Sequence, residues 1–96
     1  MKHTDIREVF SAKEYGKKET VCGWVRTARD SKNVAFIELN DGTTLKHIQV
    51  VIDKEKGIEY SDEAMKLGSS LKVVGELVEG RQGYPEINAE EITVIG

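Results

Sequence analysis

The chain of 96 residues carries a formal net charge of −3, which predicts a single domain and argues against non-specific binding of polyanions. Its one cysteine, Cys22, excludes an internal disulfide and a cysteine zinc site, and it favours a reducing, cytoplasmic setting. The longest apolar run, at 48–52 and interrupted by Gln49, is far shorter than the roughly 20 residues that span a membrane. The first residues also lack the order of a secretory signal, so we expect no membrane association.

The predicted elements begin with a short helix at 4–11, where Thr4 is the expected N-cap and the apolar residues are spaced for one helical face. From residue 20 onward the composition favours strands, first at 21–29, 34–40 and 45–53. Gly23 lies where the first strand can bend or approach another backbone closely. The triplet Asn-Asp-Gly at 40–42 predicts a hairpin between the second and third strands.

A second helix is predicted at 61–68, with Ser61 as N-cap and Gly68 near its C-cap, and two further strands follow at 71–78 and 86–95. Three strands, a helix and two strands are the connectivity of the OB-fold, an all-β, five-stranded Greek-key barrel with its helix between strands three and four. An SH3-like barrel does not usually carry this helix, and a ferredoxin-like sandwich needs a helix after its first strand. We therefore expect one OB-fold domain over 1–96.

Alternation along the second and third strands predicts which side chains face outward. Aliphatic residues occupy every other position of both strands and define the core face. Phe36 and Gln49 then lie on the outer surface of neighbouring strands, Phe36 beside Glu38. An exposed aromatic ring next to an exposed amide is typical of a surface that stacks on nucleic-acid bases and reads their edges. OB-folds use the surface of these two strands for that purpose.

The last strand predicts one further contact with bases. Its aliphatic residues change phase halfway, which predicts a bulge at 90–91. Glu86 then starts the strand on the face opposite to Ile87, next to the loop that carries Arg81 and Tyr84. A carboxylate there is unfavourable for phosphate, but it can accept hydrogen bonds from base N–H groups and so add selectivity.

Signatures of an independent catalyst are absent from the sequence. There is no glycine-rich phosphate loop, no metal-ligand spacing and no nucleophile beside a plausible base. We therefore expect no catalytic residue, metal or cofactor in this domain. Trp24 is expected to be structural rather than a stacking residue, and His47 faces solvent, where it can contact phosphate.

Three sequence segments resemble a known family. The segments are VCGWVRTARDSK at 21–32, FIELNDGT at 36–43 and IQVV at 48–51. Together they closely resemble the N-terminal anticodon-binding domain of asparaginyl-tRNA synthetases, which belong to the class II subgroup shared with the aspartyl and lysyl enzymes. The resemblance covers essentially the whole chain, and the sequences at 26–32 and 38–43 resemble those of asparaginyl rather than aspartyl enzymes.

The resemblance implies roles for individual residues. Phe36 matches the aromatic that stacks on the anticodon, chiefly on its central uridine, and Gln49 matches the glutamine that hydrogen-bonds anticodon bases. Arg29 matches the arginine that contacts the anticodon and its backbone, with Arg26 near enough to assist, and Glu86 matches the glutamate that helps to read a base. The predicted nucleic-acid-binding set is completed by Lys32, His47, Arg81 and Tyr84.

The same resemblance implies partners and a parent enzyme. The expected partner is the anticodon stem-loop of tRNA-Asn, with the anticodon G-U-U. The implied parent is a cytoplasmic homodimer that uses ATP and Mg²⁺ to form asparaginyl adenylate and then esterifies the tRNA. Its catalytic domain is expected beyond Gly96, so this chain would be an N-terminal fragment that contributes tRNA selection alone.

Two other functions remain open from the residues themselves. A sequence-tolerant OB protein for single strands is expected to carry more basic charge and several exposed aromatics. An OB-type protein-interaction module would use Phe36 as an anchor. Binding to RNA weakens steeply with ionic strength because counterions are released, whereas an apolar protein contact does not weaken in this way.

Overall fold

The structure is a computed structural model that describes residues 4–95, with only the backbone at Arg81. It contains five strands and one short α-helix. The α-helix and strands are α1 (Ile6–Ala12), β1 (Lys18–Asp30), β2 (Val34–Asn40), β3 (Ile48–Asp53), β4 (Ser70–Glu79) and β5 (Pro85–Val94). Short 3₁₀ helices lie in the connections, at Lys54–Lys56, Asp62–Met65 and Arg81–Gly83.

The strands close into a barrel in the order β1-β2-β3-β5-β4, with β4 pairing back onto β1. All pairs are antiparallel except β3 with β5. Alternate residues of each strand fill the interior with aliphatic side chains, as Ala35, Ile37 and Leu39 of β2 do with no exposed surface. The predicted five-stranded OB-fold is therefore confirmed.

Two bulges shape this barrel. Val74 pairs with Glu91 and Gly75 with Ala89, so Glu90 is the extra residue of β5 and the predicted bulge at 90–91 is confirmed. In β1 the pairing with β2 skips Arg26. The predicted close approach at Gly23 is also confirmed, because a Cβ atom there would lie 2.8 Å from the carbonyl oxygen of Asn40.

The connection between β3 and β4 differs from the prediction. The expected helix at 61–68 is a single 3₁₀ turn, Asp62–Met65, which ends because Lys66 is extended and Gly68 has a φ of +86°. Ala64 is the one residue of this turn that is buried, and Leu67 is 71% exposed. The segment offers too little apolar surface to hold further helical turns against the barrel.

The third strand begins at Ile48 rather than at residue 45. The buried amide of Asn40 donates from Nδ2 to the carbonyl oxygens of Thr44, at 2.9 Å, and Lys46, at 3.0 Å. These bonds shape residues 41–47 into a loop, which we call the β2–β3 loop, and leave Leu45 99% exposed. A side chain thus replaces the ladder bonds that the strand prediction assumed.

The N-terminus of α1 is capped by the β2–β3 loop. The prediction that Thr4 is the N-cap is wrong, because the N-cap is Asp5, which makes no side-chain cap bond, and the Thr4 hydroxyl donates to Glu19 at 2.7 Å. The carboxylate of Asp41 accepts from the backbone N–H of Ile6 at 2.8 Å instead. Thr43 Oγ1 accepts from the next N–H, that of Arg7, at 3.1 Å. These contacts join α1 to the loop although they are far apart in sequence.

This capping makes stability depend on pH. Partial burial opposes the charge on Asp41, but hydrogen bonds from Ile6 N–H and from the hydroxyl and N–H of Thr43 outweigh it and lower its pKa. A lowered pKa adds stability above the unfolded value of about 4, and this stability is lost as the pH falls through the folded value. Asp41 uses both carboxylate oxygens as acceptors, and Asn has only one, so we expect Asp41→Asn to reduce the free energy of unfolding at pH 7 by about 1 kcal/mol.

Denaturant unfolding of both proteins at pH 7 and pH 3 measures this effect. The difference between wild type and Asp41→Asn should shrink at pH 3, which lies below the unfolded pKa of about 4, because the stability added by the lowered pKa is being lost there. Asp62→Asn, at an exposed aspartate of the β3–β4 connection, is the matched control and should change little at either pH. A difference for Asp41→Asn that is the same at both values would contradict the charge-dependent cap.

No α-helix within residues 4–95 is both long and apolar enough to cross a membrane.

Candidate nucleic-acid interface

The outer faces of β1, β2, β3 and β5 form the floor of an open cavity with a volume of about 720 Å³, which we call the cleft. The strand registers arrange the outward side chains in two parallel rows. The first row is Arg29, Phe36, Val51 and Asn88, and the second is Thr27, Glu38, Gln49 and Glu86. Phe10 of α1, Lys46 and His47 of the β2–β3 loop, and Tyr84 before β5 form the walls.

Phe36 lies on the outer face, as the alternation of β2 predicts. Its neighbours Ala35 and Ile37 are fully buried, whereas Phe36 is half-buried and lines the cleft. The guanidinium carbon of Arg29 lies 5.0 Å from the centroid of the ring. This cation–π contact links two predicted site residues on the directly paired positions of β1 and β2.

Gln49 and Glu86 form a hydrogen-bonded pair in the second row. Gln49 Nε2 donates to a carboxylate oxygen of Glu86 at 3.1 Å, across the parallel pair of β3 and β5. Gly80 makes room for this carboxylate, because a Cβ atom there would overlap the Glu86 side chain. The bond uses one N–H of the amide and leaves its second N–H and its oxygen for a ligand. Glu86 therefore fixes the orientation of the amide.

Glu38 and His47 complete the side of the cleft nearest the β2–β3 loop. The Thr27 hydroxyl donates to Glu38 at 2.8 Å, and His47 Nδ1 lies 3.9 Å from the same carboxylate oxygen. His47 is exposed, as expected. A protonated His47 would pair with Glu38, and a neutral His47 can still offer a ring nitrogen to a ligand.

The other predicted residues differ in their positions. Tyr84 is 55% exposed at the rim, where its carbonyl accepts from Gly80 N–H and closes the preceding turn. Arg26 is exposed in the β1 bulge and Lys32 in the β1–β2 turn, and the structure brings neither into the cleft lining. The side chain of Arg81 lies outside the described part of the chain.

The cleft also contains residues that the sequence-based prediction missed. Asn88 lies two positions after Glu86 on the same face of β5, so alternation was a sufficient signal for it. Phe10 and Lys46 had no such signal, because they enter the cleft from α1 and from the β2–β3 loop. Their positions depend on how the helix and the loop pack against the barrel.

The charges of the cleft are mixed. Cationic Arg29 and Lys46 lie in the same surface as the carboxylates of Glu38 and Glu86. A surface of this kind attracts a polyanion weakly and is suited to reading polar base edges. Trp24 is 38% exposed but does not line the cleft. Within residues 4–95, no three His, Cys, Asp or Glu side chains converge as metal ligands would.

Comparison with known proteins agrees with this geometry. Residues 19–95 match the tRNA anticodon family, which is described as "OB-fold nucleic acid binding domain". The chain is 39% identical over 98 residues to the asparagine–tRNA ligase of Oleidesulfovibrio alaskensis, a match that covers 100% of this chain and 21% of the ligase. It is 43% identical over 102 residues to the enzyme of Acetivibrio thermocellus, covering 100% of this chain and 22% of that protein.

A solved structure shows the same fold. The crystal structure of asparaginyl-tRNA synthetase from Pyrococcus horikoshii superposes with a TM-score of 0.77 at 24% sequence identity, over 98% of this chain and 23% of that one. The chain thus spans about a fifth of the length of the two ligases and of this synthetase. With its barrel, its cleft and the match over residues 19–95, the chain belongs to the tRNA anticodon family of OB-fold nucleic-acid-binding domains.

Proposed function

We propose that this chain is the anticodon-recognition domain of an asparagine–tRNA ligase and that it selects tRNA-Asn through its G-U-U anticodon. The observation that carries the proposal is the placement of Phe36 and Gln49 in adjacent rows of one cleft. An aromatic ring supplies a stacking surface for an unpaired base, and an amide beside it supplies a donor and an acceptor for a base edge. Similarity over the whole chain to asparagine–tRNA ligases supports the choice of tRNA.

Each residue of the cleft has a physical role in this proposal. Phe36 stacks on the central uridine, and Gln49, held by Glu86, hydrogen-bonds a base edge. Uridine offers an N–H donor and a carbonyl acceptor next to each other, which suits the free oxygen and N–H of an amide. Arg29 contacts the anticodon and its backbone from its place over Phe36.

Glu86 and the predicted residues at or beyond the rim of the cleft have accessory roles. The Glu86 carboxylate also accepts from a base N–H, and Tyr84 is a second exposed ring at the rim. Arg26 and Lys32, outside the cleft lining, are proposed to meet the RNA backbone where it leaves the cleft. His47 and Arg81 are proposed as further backbone contacts.

The proposal extends to the parent protein. ATP and Mg²⁺ would supply the adenylate chemistry in the other four-fifths of a cytoplasmic, homodimeric ligase. The residues described here form no cluster of metal ligands, so we assign no step through either group to them. This domain would raise the specificity of the ligase by holding one anticodon more tightly than others.

Fluorescence anisotropy with two labelled anticodon stem-loops tests the proposal. We expect the G-U-U loop to bind more tightly, by about 1–3 kcal/mol, than a loop whose central uridine is replaced by cytidine. In cytidine the donor and acceptor positions of uridine are exchanged, so they no longer match the Gln49 amide, whose orientation Glu86 fixes. A G-U-U loop with one inverted stem base pair is the matched control and should bind as the original does. Equal affinities for uridine and cytidine would reject anticodon recognition and favour a sequence-tolerant binder.

A salt titration of the same complex separates RNA binding from the protein-interaction alternative. The logarithm of the association constant for RNA should fall linearly with the logarithm of the salt concentration.

A further inference from the structure

The β2–β3 loop is held in one conformation by two side chains at its start. Asn40, 8% exposed, donates to the carbonyls of Thr44 and Lys46 and accepts from the N–H of Gly42 at 2.9 Å. Asp41 accepts from the N–H and the hydroxyl of Thr43 at 2.9 and 2.6 Å. The backbone of Lys46 is therefore fixed relative to the barrel by the buried amide, although the loop has no strand pairing.

The same loop carries α1 to the edge of the cleft. Because Asp41 and Thr43 cap α1, the helix and the loop form one packed unit. Phe10, in the second turn of α1, packs partly against the core and lines the cleft. The ammonium of Lys46 lies 5.2 Å from the centroid of the Phe10 ring. A cation–π contact restrains the side chain of an exposed lysine and leaves its N–H donors available to an anion.

The Lys46 ammonium lies at one end of the charge pattern along the cleft, opposite the end that carries Arg29. Along β2, Phe36 lies beside Arg29, Glu38 follows in the next row, and the β2–β3 loop with Lys46 comes after that. The carboxylates of Glu38 and Glu86 thus lie between two cations. Phosphates of a bound strand are repelled from the second row, which carries both carboxylates, and are attracted to both ends of the cleft, while base edges can meet the second row.

We infer that Lys46 binds a phosphate of the RNA strand that occupies the cleft, and that Phe10 is a positioning residue that holds the Lys46 ammonium at that end. The inference rests on the proposed function, since it needs a nucleic acid in the cleft. Lysine is suited to this contact because its ammonium is a point charge that binds phosphate without reading a base. The contact therefore contributes affinity and strand direction, and it leaves the choice of anticodon to Gln49 and Phe36.

Lys46→Gln and Phe10→Leu test the two roles with the 96-residue chain and the G-U-U stem-loop. Lys46→Gln should lower the affinity several-fold and reduce the slope of log K against log salt by about 0.7, the loss of one phosphate contact on a single strand. The loss should be equal for the G-U-U loop and for the loop with central cytidine. Lys66→Gln removes an exposed lysine outside the cleft lining and should leave affinity and slope as in wild type.

Phe10→Leu keeps an apolar side chain against the barrel and removes the aromatic ring. It should lower the affinity in the same direction as Lys46→Gln, and it should cause no further loss when both changes are combined. A slope for Lys46→Gln equal to that of wild type would overturn the phosphate contact, and additive losses in the double variant would overturn the positioning role. The proposed function fails by a different result, equal binding of the two loops by wild type.

Discussion

Phe36→Ala should weaken binding of the G-U-U anticodon stem-loop by about 1–3 kcal/mol, through loss of the stacking surface for one base. Its ring lines the cleft and lies under the Arg29 guanidinium, 5.0 Å away, so the change also releases an arginine proposed to contact the anticodon. Titration of wild type and variant with the same labelled loop measures the difference. The discrimination between uridine and cytidine at the central position should fall with it.

Two control variants separate stacking from simple loss of structure. Phe36→Leu keeps an apolar side chain on the outer face and should retain part of the affinity but not the stacking. Trp24→Leu removes an exposed aromatic outside the cleft lining and should bind as wild type does. All variants are compared below the temperature at which circular dichroism shows unfolding. A folded Phe36→Ala with wild-type affinity would contradict the stacking role.

Strand alternation was sufficient to predict the central residues of the cleft. Phe36 and Gln49 fall on the outer face because β2 and β3 are regular and each buries an uninterrupted aliphatic set. The phase change in β5 likewise predicted the bulge at Glu90. In each case the signal lies within one strand, where a period of two residues decides which side chains are buried.

Contacts between distant elements could not be predicted in this way. The sequence predicted that Gln49 and Glu86 are both outward, but their hydrogen bond depends on the register of β3 against β5, which barrel closure sets. Capping of α1 by Asp41 and entry of Phe10 into the cleft depend on helix docking. The helix predicted at 61–68 is shortened to one 3₁₀ turn for a related reason, since helix propensity does not show that Ala64 alone of this turn is buried against the barrel.

Gly75→Ala should destabilise the barrel by about 1–3 kcal/mol or more, because no side chain fits at this position. Gly75 is buried in β4 beside the β5 bulge, between Glu19 of β1 and Ala89 of β5. A Cβ atom there would lie well inside the contact distance of the Asn88 carbonyl oxygen and 2.8 Å from its carbonyl carbon. These are backbone atoms of a paired strand, so relief requires the two strands to separate and lose ladder bonds.

Urea unfolding at constant pH measures the change, with Glu76→Ala as the control at the next, exposed position of β4. An alanine on an open, compatible backbone usually stabilises by about 0.4–1 kcal/mol because it restricts the unfolded chain, so the sign of the effect distinguishes the two cases. Gly75→Ala should lower the urea concentration at the midpoint of unfolding. The substitution replaces no residue of the cleft, although the added Cβ atom meets the backbone of Asn88, which lies in the first row. A midpoint equal to or above that of wild type would show that β4 and β5 can separate locally without cost, against the tight closure described here.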